Sequence, residues 1–384
     1  MPRHNLTYNR NDIEFKCSKF YMAKKKTFYP LVSVCTPTFN RRPFIPIMFE
    51  CFRNQTYPKD RIEWIIIDDG TDKIKDLVNS SGIPQIKYFE LPNKITLGAK
   101  RNMMHDKSTG QIIVYMDDDD YYPPERISHA VEVLNANKTA LCAGSSELYI
   151  FFKHIQKMYK CGPYGPTHAT AGTFAFRREL LNVTRYNDEA CLAEEREFLK
   201  GYTIPFAQLD PMKTILVFSH DHNTFDKKKL LNNKHPEYFR ESEKTVDMFI
   251  QFTDEAKIKK FFLKDIDDKL AKYAPGNPSM KPDVLTQTKE IEEKRKAEQE
   301  KSAGSPGLIV QQEGKEPVQV SMEDIVKIIN SQNHTIQAMK ARNLELEELV
   351  VKLQEQILTK QVSKLEPEVA VQLDQIKHSA SSST

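Results

Sequence analysis

Short apolar runs alternate with helix-like stretches in the first third of the chain. Four runs rich in Ile, Val and aromatic residues predict β-strands at residues 31–36, 63–67, 86–90 and 112–116. Helices are predicted between and after them, over residues 43–55, 71–80, 97–107 and 124–136. Near-continuous apolar strands are typical of a sheet covered on both faces, and alternation with helices favours parallel pairing. The pattern therefore predicts an α/β fold with an open sheet flanked by helices.

The pattern changes after residue 140. Longer apolar runs predict further strands over residues 140–160, 172–177 and 213–219, with a short helix over residues 192–200. Residues 236–272 show the amphipathic spacing of helices. This part of the chain is expected to extend the sheet and then to pack helices behind it.

All the aromatic residues of the chain, 1 Trp, 15 Tyr and 21 Phe, lie at or before Tyr273. The remainder cannot build an ordinary aromatic core. Residues 274–320 are rich in Pro, Gly, Lys, Glu and Gln and are predicted to form a flexible linker. Residues 321–364 are predicted to form a coiled coil, and residues 365–384 a disordered tail.

The coiled-coil prediction rests on apolar residues that recur at spacings of four and three. One seam position holds Ile329, Ile336, Asn343, Val350 and Ile357, and the other holds Ile325, Gln332, Met339, Leu346 and Leu353. The β-branched residues of the first set favour a parallel two-stranded coil, in which Asn343 would set the register. A homodimer is therefore expected. The alternative is a single amphipathic helix packed on the preceding domain.

Composition narrows the classes of function. The 384 residues carry 56 Lys and Arg against 53 Asp and Glu, a net charge of +3, which argues against a dedicated nucleic-acid binder. Only residues 1–29 form a clearly basic segment. Without a long apolar run or an apolar leader, no transmembrane segment or secretory signal is expected. The six dispersed cysteines indicate reduced thiols and a cytoplasmic protein.

Polar residues follow three of the predicted strands. They are residues 36–41, the Asp68-Asp69-Gly70 sequence and the run Asp117 to Asp120. Open parallel sheets bind ligands outside the carboxyl ends of their strands. An Asp-Asp-Gly sequence alone is typical of a turn or helix cap, and an acidic run can be a surface loop. Four successive aspartates repel one another unless a cation neutralises them, and oxygen ligands favour Mg²⁺ or Mn²⁺.

Four motifs in this order resemble the family 2 glycosyltransferases of GT-A fold. They are Val-Ser-Val-Cys-Thr-Pro-Thr-Phe-Asn-Arg, Ile-Ile-Ile-Asp-Asp-Gly-Thr-Asp, Leu-Gly-Ala-Lys-Arg-Asn and Val-Tyr-Met-Asp-Asp-Asp-Asp. The resemblance spans about residues 30–230 and implies a Rossmann-like open mixed sheet. We therefore expect a catalytic domain over residues 30–235 and a helical extension over residues 236–273.

The resemblance implies a role for several residues. Those expected to bind the nucleotide sugar are Thr36, Pro37, Thr38, Asn40, Arg41, Asp68, Lys100, Arg101, Asp117 and Asp118. Among them, Asp68 would accept a hydrogen bond from a uracil ring, and Lys100 or Arg101 would lie near the base or the diphosphate. Asp119, with Asp117, would hold Mn²⁺ or Mg²⁺.

Two further motifs of the family are matched, one of them with a Glu in place of an Asp. The family carries a Glu-Asp pair at a helix start, where this chain has Glu194-Glu195. Glu195 is the expected general base, and Glu194 is the alternative. The sequence His220-Asp221-His222-Asn223 follows a predicted strand. His220 is expected to reach the metal or the diphosphate, with His222 as the alternative, unless both histidines are simply exposed at the strand end. Residues 172–177 match a stretch that lies near the acceptor in the family.

The resemblance implies a metal-dependent, inverting glycosyltransferase. The expected donor is a nucleotide-diphosphate sugar, most simply a UDP-sugar, and the expected acceptor is a hydroxyl of a glycan or protein. A nucleotide-sugar pyrophosphorylase is a rival, but residues 36–40 lack the glycine-rich loop that it would need. A non-catalytic scaffold with a transferase-like domain is the other rival.

Overall fold

A computed structural model describes residues 29–192, 195–232, 237–303, 308–310, 318–320 and scattered residues between 325 and 357. The strands are β1 (Val32–Thr38), β2 (Ile62–Asp68), β3 (Ile86–Glu90), β4 (Ile112–Tyr115), β5 (Cys142–Gly144), β6 (Leu148–Phe152), β7 (Lys157–Cys161), β8 (Ala175–Arg177), β9 (Phe206–Gln208), β10 (Leu216–Ser219), β11 (Phe239–Glu241), β12 (Leu308–Val310) and β13 (Val318–Val320). The helices are α1 (Ile45–Arg53), α2 (Lys75–Ser80), α3 (Leu97–Lys107), α4 (Arg126–Ala136), α5 (Glu195–Phe198), α6 (Val246–Phe249), α7 (Ala256–Lys260), α8 (Ile266–Ala271) and α9 (Pro282–Ala303).

A mixed seven-stranded sheet forms the centre of the fold. Its strand order is β3-β2-β1-β4-β8-β5-β9. Strands β3, β2, β1 and β4 run parallel, β8 lies antiparallel to β4 and β5, and β9 pairs parallel with β5. The carboxyl ends of the four parallel strands therefore meet at one edge of the sheet.

Helices cover this sheet on both faces, as the apolar strands predict. Strand β2 is buried along its whole length, and its successive side chains enter different cores. Trp64 and Ile66 pack with Met48 and Phe52 of α1, whereas Ile65 and Ile67 pack with Met104 of α3. This alternation is the period-two geometry of a strand that lies between two layers.

A second sheet of four strands, β10-β6-β7-β11, extends the fold. Strand β10 pairs parallel with β6, and the other pairs are antiparallel. A third apolar core joins this sheet to helices α6 to α8, with Phe218 stacked on Phe262 at 4.1 Å between ring centroids. The sequence predicts only helices over residues 236–272, but β11 is a strand there, because Phe239 pairs with Cys161 of β7.

Several other boundaries differ from the predictions. The strand predicted over residues 140–160 divides into β5, β6 and β7, and α2 begins four residues later than expected. The linker predicted over residues 274–320 contains two 3₁₀ turns, Ala274–Gly276 and Pro278–Met280, followed by helix α9. The described part of this range up to residue 290 belongs to the same compact unit as the sheets.

The second compact unit comprises residues 291–384. Within it, β12 and β13 pair antiparallel, and the scattered described residues between 325 and 357 are helical. The predicted coiled coil of residues 321–364 falls mostly outside the described residues, so it stays a prediction. The basic segment 1–29, apart from Tyr29, and the tail 365–384 also lie outside them.

Candidate active site

A cavity of about 350 Å³ opens at the carboxyl ends of β1 and β4. This volume is in the range of small-molecule sites, and the position is where open parallel sheets bind ligands. Eight of the residues predicted to bind donor or metal line it: Pro37, Thr38, Arg41, Lys100, Arg101, Asp117, Asp118 and Asp119. These predicted residues therefore lie together on one cavity, and their roles in binding stay predictions.

In the acidic run after β4, Asp118 is buried, the other three aspartates are partly buried, and the run makes its own ion pairs. Arg41 Nε lies 3.4 Å from Asp118 Oδ1, and Arg41 Nη2 lies 3.0 Å from Asp119 Oδ2. Asp120 Oδ1 accepts a hydrogen bond from the backbone N–H of Phe218 at 3.2 Å. One arginine thus bridges two adjacent carboxylates on the cavity wall.

Burial and mutual repulsion separate the pKa values of these carboxyl groups. Burial raises the pKa of Asp118 to about 7, against the attraction of Arg41. Burial and the neighbouring charge of Asp119 raise the pKa of Asp120 well above its usual range. Burial would also raise the pKa of Asp119, but Arg41 and His220 outweigh it and hold that pKa well below its usual range. Of these three carboxyl groups, Asp119 therefore holds its negative charge most firmly, and added positive charge would stabilise the run.

Of the two candidate histidines, the ring of His220 reaches the acidic run. Its Nε2 lies 3.5 Å from Asp119 Oδ2 and 2.8 Å from Asn223 Nδ2. Asn223 Oδ1 accepts from the His220 backbone N–H, so its amide nitrogen faces the ring. Burial lowers the pKa of His220 to about 4, so the ring is neutral near pH 7. His222 instead offers its backbone carbonyl to Arg41 Nη1 at 2.6 Å.

The donor set suits a divalent ion that arrives with a substrate. Among the described residues, no group of three Asp, Glu, His or Cys side chains is arranged to enclose a metal by itself. Mg²⁺ is commonly bound by one or two carboxylates together with substrate phosphates, so a protein cage is not required. Asp119 and Asp117 offer such oxygens on the cavity wall, and His220 lies beside Asp119.

The Asp68-Asp69 pair lies behind the cavity wall and not on it. Asp68 is completely buried and accepts hydrogen bonds from Gly70, Ile74 and Tyr88. Asp69 accepts from the backbone N–H of Ile95 at 2.8 Å and pairs with Lys100. Asp69, the second residue of the Asp-Asp-Gly motif, has no role predicted from the sequence, although its side chain holds Ile95 and Lys100 in place.

The other predicted nucleotide ligands divide into lining and supporting residues. Thr36 Oγ1 donates to the carbonyl of Met116 at 2.6 Å and accepts from Trp64 Nε1, so it links β1 to β4 outside the cavity lining. Asn40 takes a positive φ of 53° and accepts from the backbone N–H of Asp72, which shapes the turn after β1. The Arg101 guanidinium lies over the Tyr115 ring at 4.5 Å on the cavity wall.

The candidate base lies outside the residues that line the cavity. Glu195 is half-buried at the start of α5. Burial, and then the negative charge of Glu195, raise the pKa of Tyr202. Glu194 lies outside the described residues. Leu192, just before them, does line the cavity, so the chain leads from the cavity wall into this pair. The choice between the two carboxylates stays a prediction.

Several lining residues were missed by the sequence reasoning. Gly172 allows close approach, because a Cβ there would lie 2.9 Å from Asp117 Oδ2. Thr224, Lys227 and Lys281 also line the cavity. Gly172 could have been found from the sequence, because it lies in the stretch of residues 172–177 predicted to be near the acceptor. Lys281 could not, because it lies in the predicted linker.

Comparison with known proteins decides the class of this domain. Residues 33–184, from β1 past β8, match the model of glycosyl transferase family 2. This domain belongs to glycosyl transferase family 2. The family 2 domain therefore contains the strand-end motifs and the acidic run, whereas Glu195, His220 and Lys281 lie beyond the matched residues.

One curated relative and two solved structures show the extent of the likeness. An uncharacterized glycosyltransferase of Rickettsia bellii is 30% identical over 132 residues, 33% of this chain and 18% of that protein. The Staphylococcus aureus TarS 1–349 structure in complex with UDP-GlcNAc is 17% identical, covers 75% of this chain and 99% of that chain, and has a TM-score of 0.41. The Pyrobaculum calidifontis mannosyltransferase PcManGT, in complex with GDP-Man and Mn²⁺, is 19% identical, covers 50% and 57%, and has a TM-score of 0.41.

The chain thus spans less than a fifth of the length of that curated relative. Assignment of the family 2 domain rests on its matched residues and their motifs. Among the described residues, no helix combines the length and the apolar character needed to cross a bilayer.

Proposed function

We propose that the protein is a metal-dependent, inverting glycosyltransferase of GT-A fold that uses a nucleotide-diphosphate sugar, with a UDP-sugar as the first candidate. The observation that supports this proposal is the cavity of the family 2 domain, which is lined by the acidic run and by several cationic side chains. The proposed acceptor is a hydroxyl group of a glycan or protein. The five described cysteines, all free thiols, are consistent with a reducing cytoplasmic compartment.

The proposed reaction exchanges one bond at the anomeric carbon of the sugar. The acceptor oxygen forms a bond to this carbon, and the bond to the diphosphate breaks on the opposite face. Negative charge grows on the departing diphosphate, and a bound Mn²⁺ or Mg²⁺ would supply Lewis-acid stabilisation of that charge. Asp119, with Asp117, is proposed to hold the metal and diphosphate, and Lys100 and Arg101 add positive charge on the same wall.

The acceptor proton needs a carboxylate on the face away from the diphosphate. Glu195 is proposed as this base, with Glu194 as the alternative. Replacing Glu195 by Gln should leave UDP binding unchanged and lower transfer by about 100-fold or more, because general bases contribute on that scale. The check is UDP affinity by calorimetry alongside the transfer rate. A variant that transfers at the normal rate would assign the role to Glu194.

A donor panel tests the proposal. The full chain is incubated with Mn²⁺ and UDP-, GDP- and dTDP-sugars, and nucleotide release is followed. Slow hydrolysis of one donor is the expected result, since water can replace the acceptor. Formation of a nucleoside triphosphate only with added pyrophosphate would identify a pyrophosphorylase, and no release or binding across the panel would favour a scaffold.

A homodimer through residues 321–364 is proposed as well. Two adjacent described residues allow a matched test, because Val350 lies at a predicted seam position and Val351 does not. Both side chains are about half exposed, at 52% and 54%. Val350→Lys should lower the sedimentation-equilibrium mass of the full chain toward that of a monomer, because it buries a charge in the seam. Val351→Lys should keep the mass of the wild type. Equal masses for all three proteins would contradict the coiled coil.

A further inference from the structure

Residues 273–287, here called the strap, cross the cavity region although they follow the catalytic domain predicted from the sequence. The strap is attached to the loops that follow β1 and β2. The Tyr273 hydroxyl donates to Asp72 Oδ2 at 2.8 Å, and Asn40 Nδ2 donates to the Pro275 carbonyl at 2.9 Å. Gly276 packs so closely that a Cβ there would lie 3.0 Å from the Asn40 carbonyl oxygen. One end of the strap is therefore fixed on the same loop that carries Arg41.

The other end of the strap is attached to a different segment of the cavity lining. Gln287 Oε1 accepts hydrogen bonds from the backbone N–H groups of Cys191 and Leu192 at 2.8 and 3.2 Å. Asp283 pairs with Lys94. Cys191 and Leu192 line the cavity and lead toward the candidate base. The strap thus connects the loop that carries Arg41 with the Cys191–Leu192 segment of the cavity lining.

Between these attachments, Lys281 lies on the cavity wall. Only 8% of this residue is exposed. Its Nζ donates to Thr224 Oγ1 at 2.8 Å and lies 5.7 Å from the centre of the Phe39 ring. Thr224 and Phe39 also line the cavity, so the ammonium group is held at its surface by neutral partners.

The charges around Lys281 leave it without a close counter-ion. Arg41 already pairs with Asp118 and Asp119, and Lys100 pairs with Asp69. Among the residues that the structure describes, Lys281 makes no ion pair within 4 Å. Burial, and then the charge of Arg41, lower its pKa to about 7. A buried ammonium group without a counter-ion is costly, and an anion in the cavity would relieve that cost.

We propose that Lys281 binds the diphosphate of the nucleotide-sugar donor, so that the strap completes the donor site. This inference rests on the proposed function and names a residue outside the matched family 2 domain. A lysine ammonium is a suitable point charge for phosphate oxygens. Phe39 lies beside Pro37 and Thr38, which are proposed to contact the nucleotide, and the acidic run lies on the same cavity, so a diphosphate between them is within reach of Lys281.

Calorimetric titration of the full chain with UDP and with uridine, in the presence of Mn²⁺, tests the proposal. Lys281→Met removes the charge and keeps most of the side-chain length. We expect it to weaken UDP binding by about tenfold or more and to leave uridine binding unchanged, because only UDP carries the diphosphate. Lys281→Arg should recover much of the UDP affinity. Lys289→Met, at an exposed lysine of helix α9, which begins directly after Lys281, should match the wild type.

Two results would overturn the proposal. UDP affinity that is unchanged in Lys281→Met would show that the ammonium group does not contact the diphosphate. An equal loss of UDP and uridine affinity would show that Lys281 only supports the shape of the cavity. If the wild type itself binds neither UDP nor GDP, the proposed donor class fails and the inference fails with it, which differs from a loss confined to one variant.

Discussion

Two acidic segments follow neighbouring parts of the same sheet and have opposite environments. Asp68 is the last residue of β2, and Asp69 follows it. Their carboxylate oxygens accept hydrogen bonds or form ion pairs with groups of Gly70, Ile74, Tyr88, Ile95 and Lys100. The run from Asp117 to Asp120 follows β4, lines the cavity, and relies mainly on Arg41 for positive charge. The first segment is completed by protein groups, whereas the second faces the space where a ligand would bind.

This difference separates a structural carboxylate from a candidate binding carboxylate. A buried carboxylate that accepts several hydrogen bonds stabilises the turn that it organises. A partly buried run of like charges with a single bridging arginine stays under mutual repulsion, and burial together with that repulsion raises the pKa values of Asp118 and Asp120. Matched Asp→Asn changes in the two segments should therefore have opposite consequences for stability and activity.

The largest effect is expected at Asp119. Asp119→Asn should lower donor turnover by about 100-fold or more, because it removes the ionised oxygen proposed to hold the metal and diphosphate. The free energy of unfolding should change by less than about 1 kcal/mol, since lost repulsion offsets the lost pairing with Arg41. Donor hydrolysis and urea unfolding measure the two effects.

The control for Asp119→Asn is Asp247→Asn, at an exposed carboxylate on α6 that pairs with Lys259. This variant should be active and as stable as the wild type. An Asp119→Asn protein that turns over donor normally would remove the distinction between the two acidic segments.

A large loss of stability is expected at Asp68. Asp68 Oδ1 accepts from Gly70 at 2.9 Å, and Oδ2 accepts from Ile74 at 3.0 Å and Tyr88 at 2.7 Å. In Asp68→Asn the new amide N–H₂ would face donors, so the free energy of unfolding should fall by about 2 kcal/mol. Urea unfolding measures it, with Asp76→Asn as the control, because the Asp76 ion pair is exposed.

The Asp68 variant also tests its predicted contact with uracil. If Asp68→Asn unfolds like the wild type but loses UDP affinity, Asp68 contacts the nucleotide directly and does not have a structural role. A loss of stability with normal UDP affinity at low temperature would confirm that role.

The sequence could predict the sheet and the acidic run because both depend on local patterns. Apolar runs such as residues 63–67 mark strands that must be buried on both faces, and polar residues where they stop mark the ligand-binding edge. The same patterns could not separate Asp68 from Asp119, since the difference lies in Tyr88 and Arg41, distant in sequence. Nor could the sequence predict the position of Lys281. The composition of the segment around it is typical of a linker, and only tertiary packing brings it to the cavity.

The smallest effect concerns Glu63, at the other end of the strand that Asp68 closes. Burial alone would raise the pKa of Glu63, but hydrogen bonds from Lys87, Ser33 and Thr109 outweigh it and lower that pKa to about 2. A depressed folded-state pKa gives stability that is present above the unfolded value near 4.5 and is lost as the pH falls toward 2. We expect about 1 kcal/mol of this loss between pH 5 and pH 3, since Lys87 is half exposed.

Glu63→Gln removes the titrating group, so its free energy of unfolding should fall less steeply than that of the wild type between pH 5 and pH 3. Glu90→Gln, at an exposed glutamate of β3 paired with Lys75, should keep the slope of the wild type. Urea unfolding at several pH values compares the three proteins. Parallel curves for all three proteins would show that the hydrogen bonds to Glu63 do not shift its pKa between the folded and the unfolded state. The structural role of Asp68 would then be weakened too, because both carboxylates are assigned that role from the number of donors that reach them.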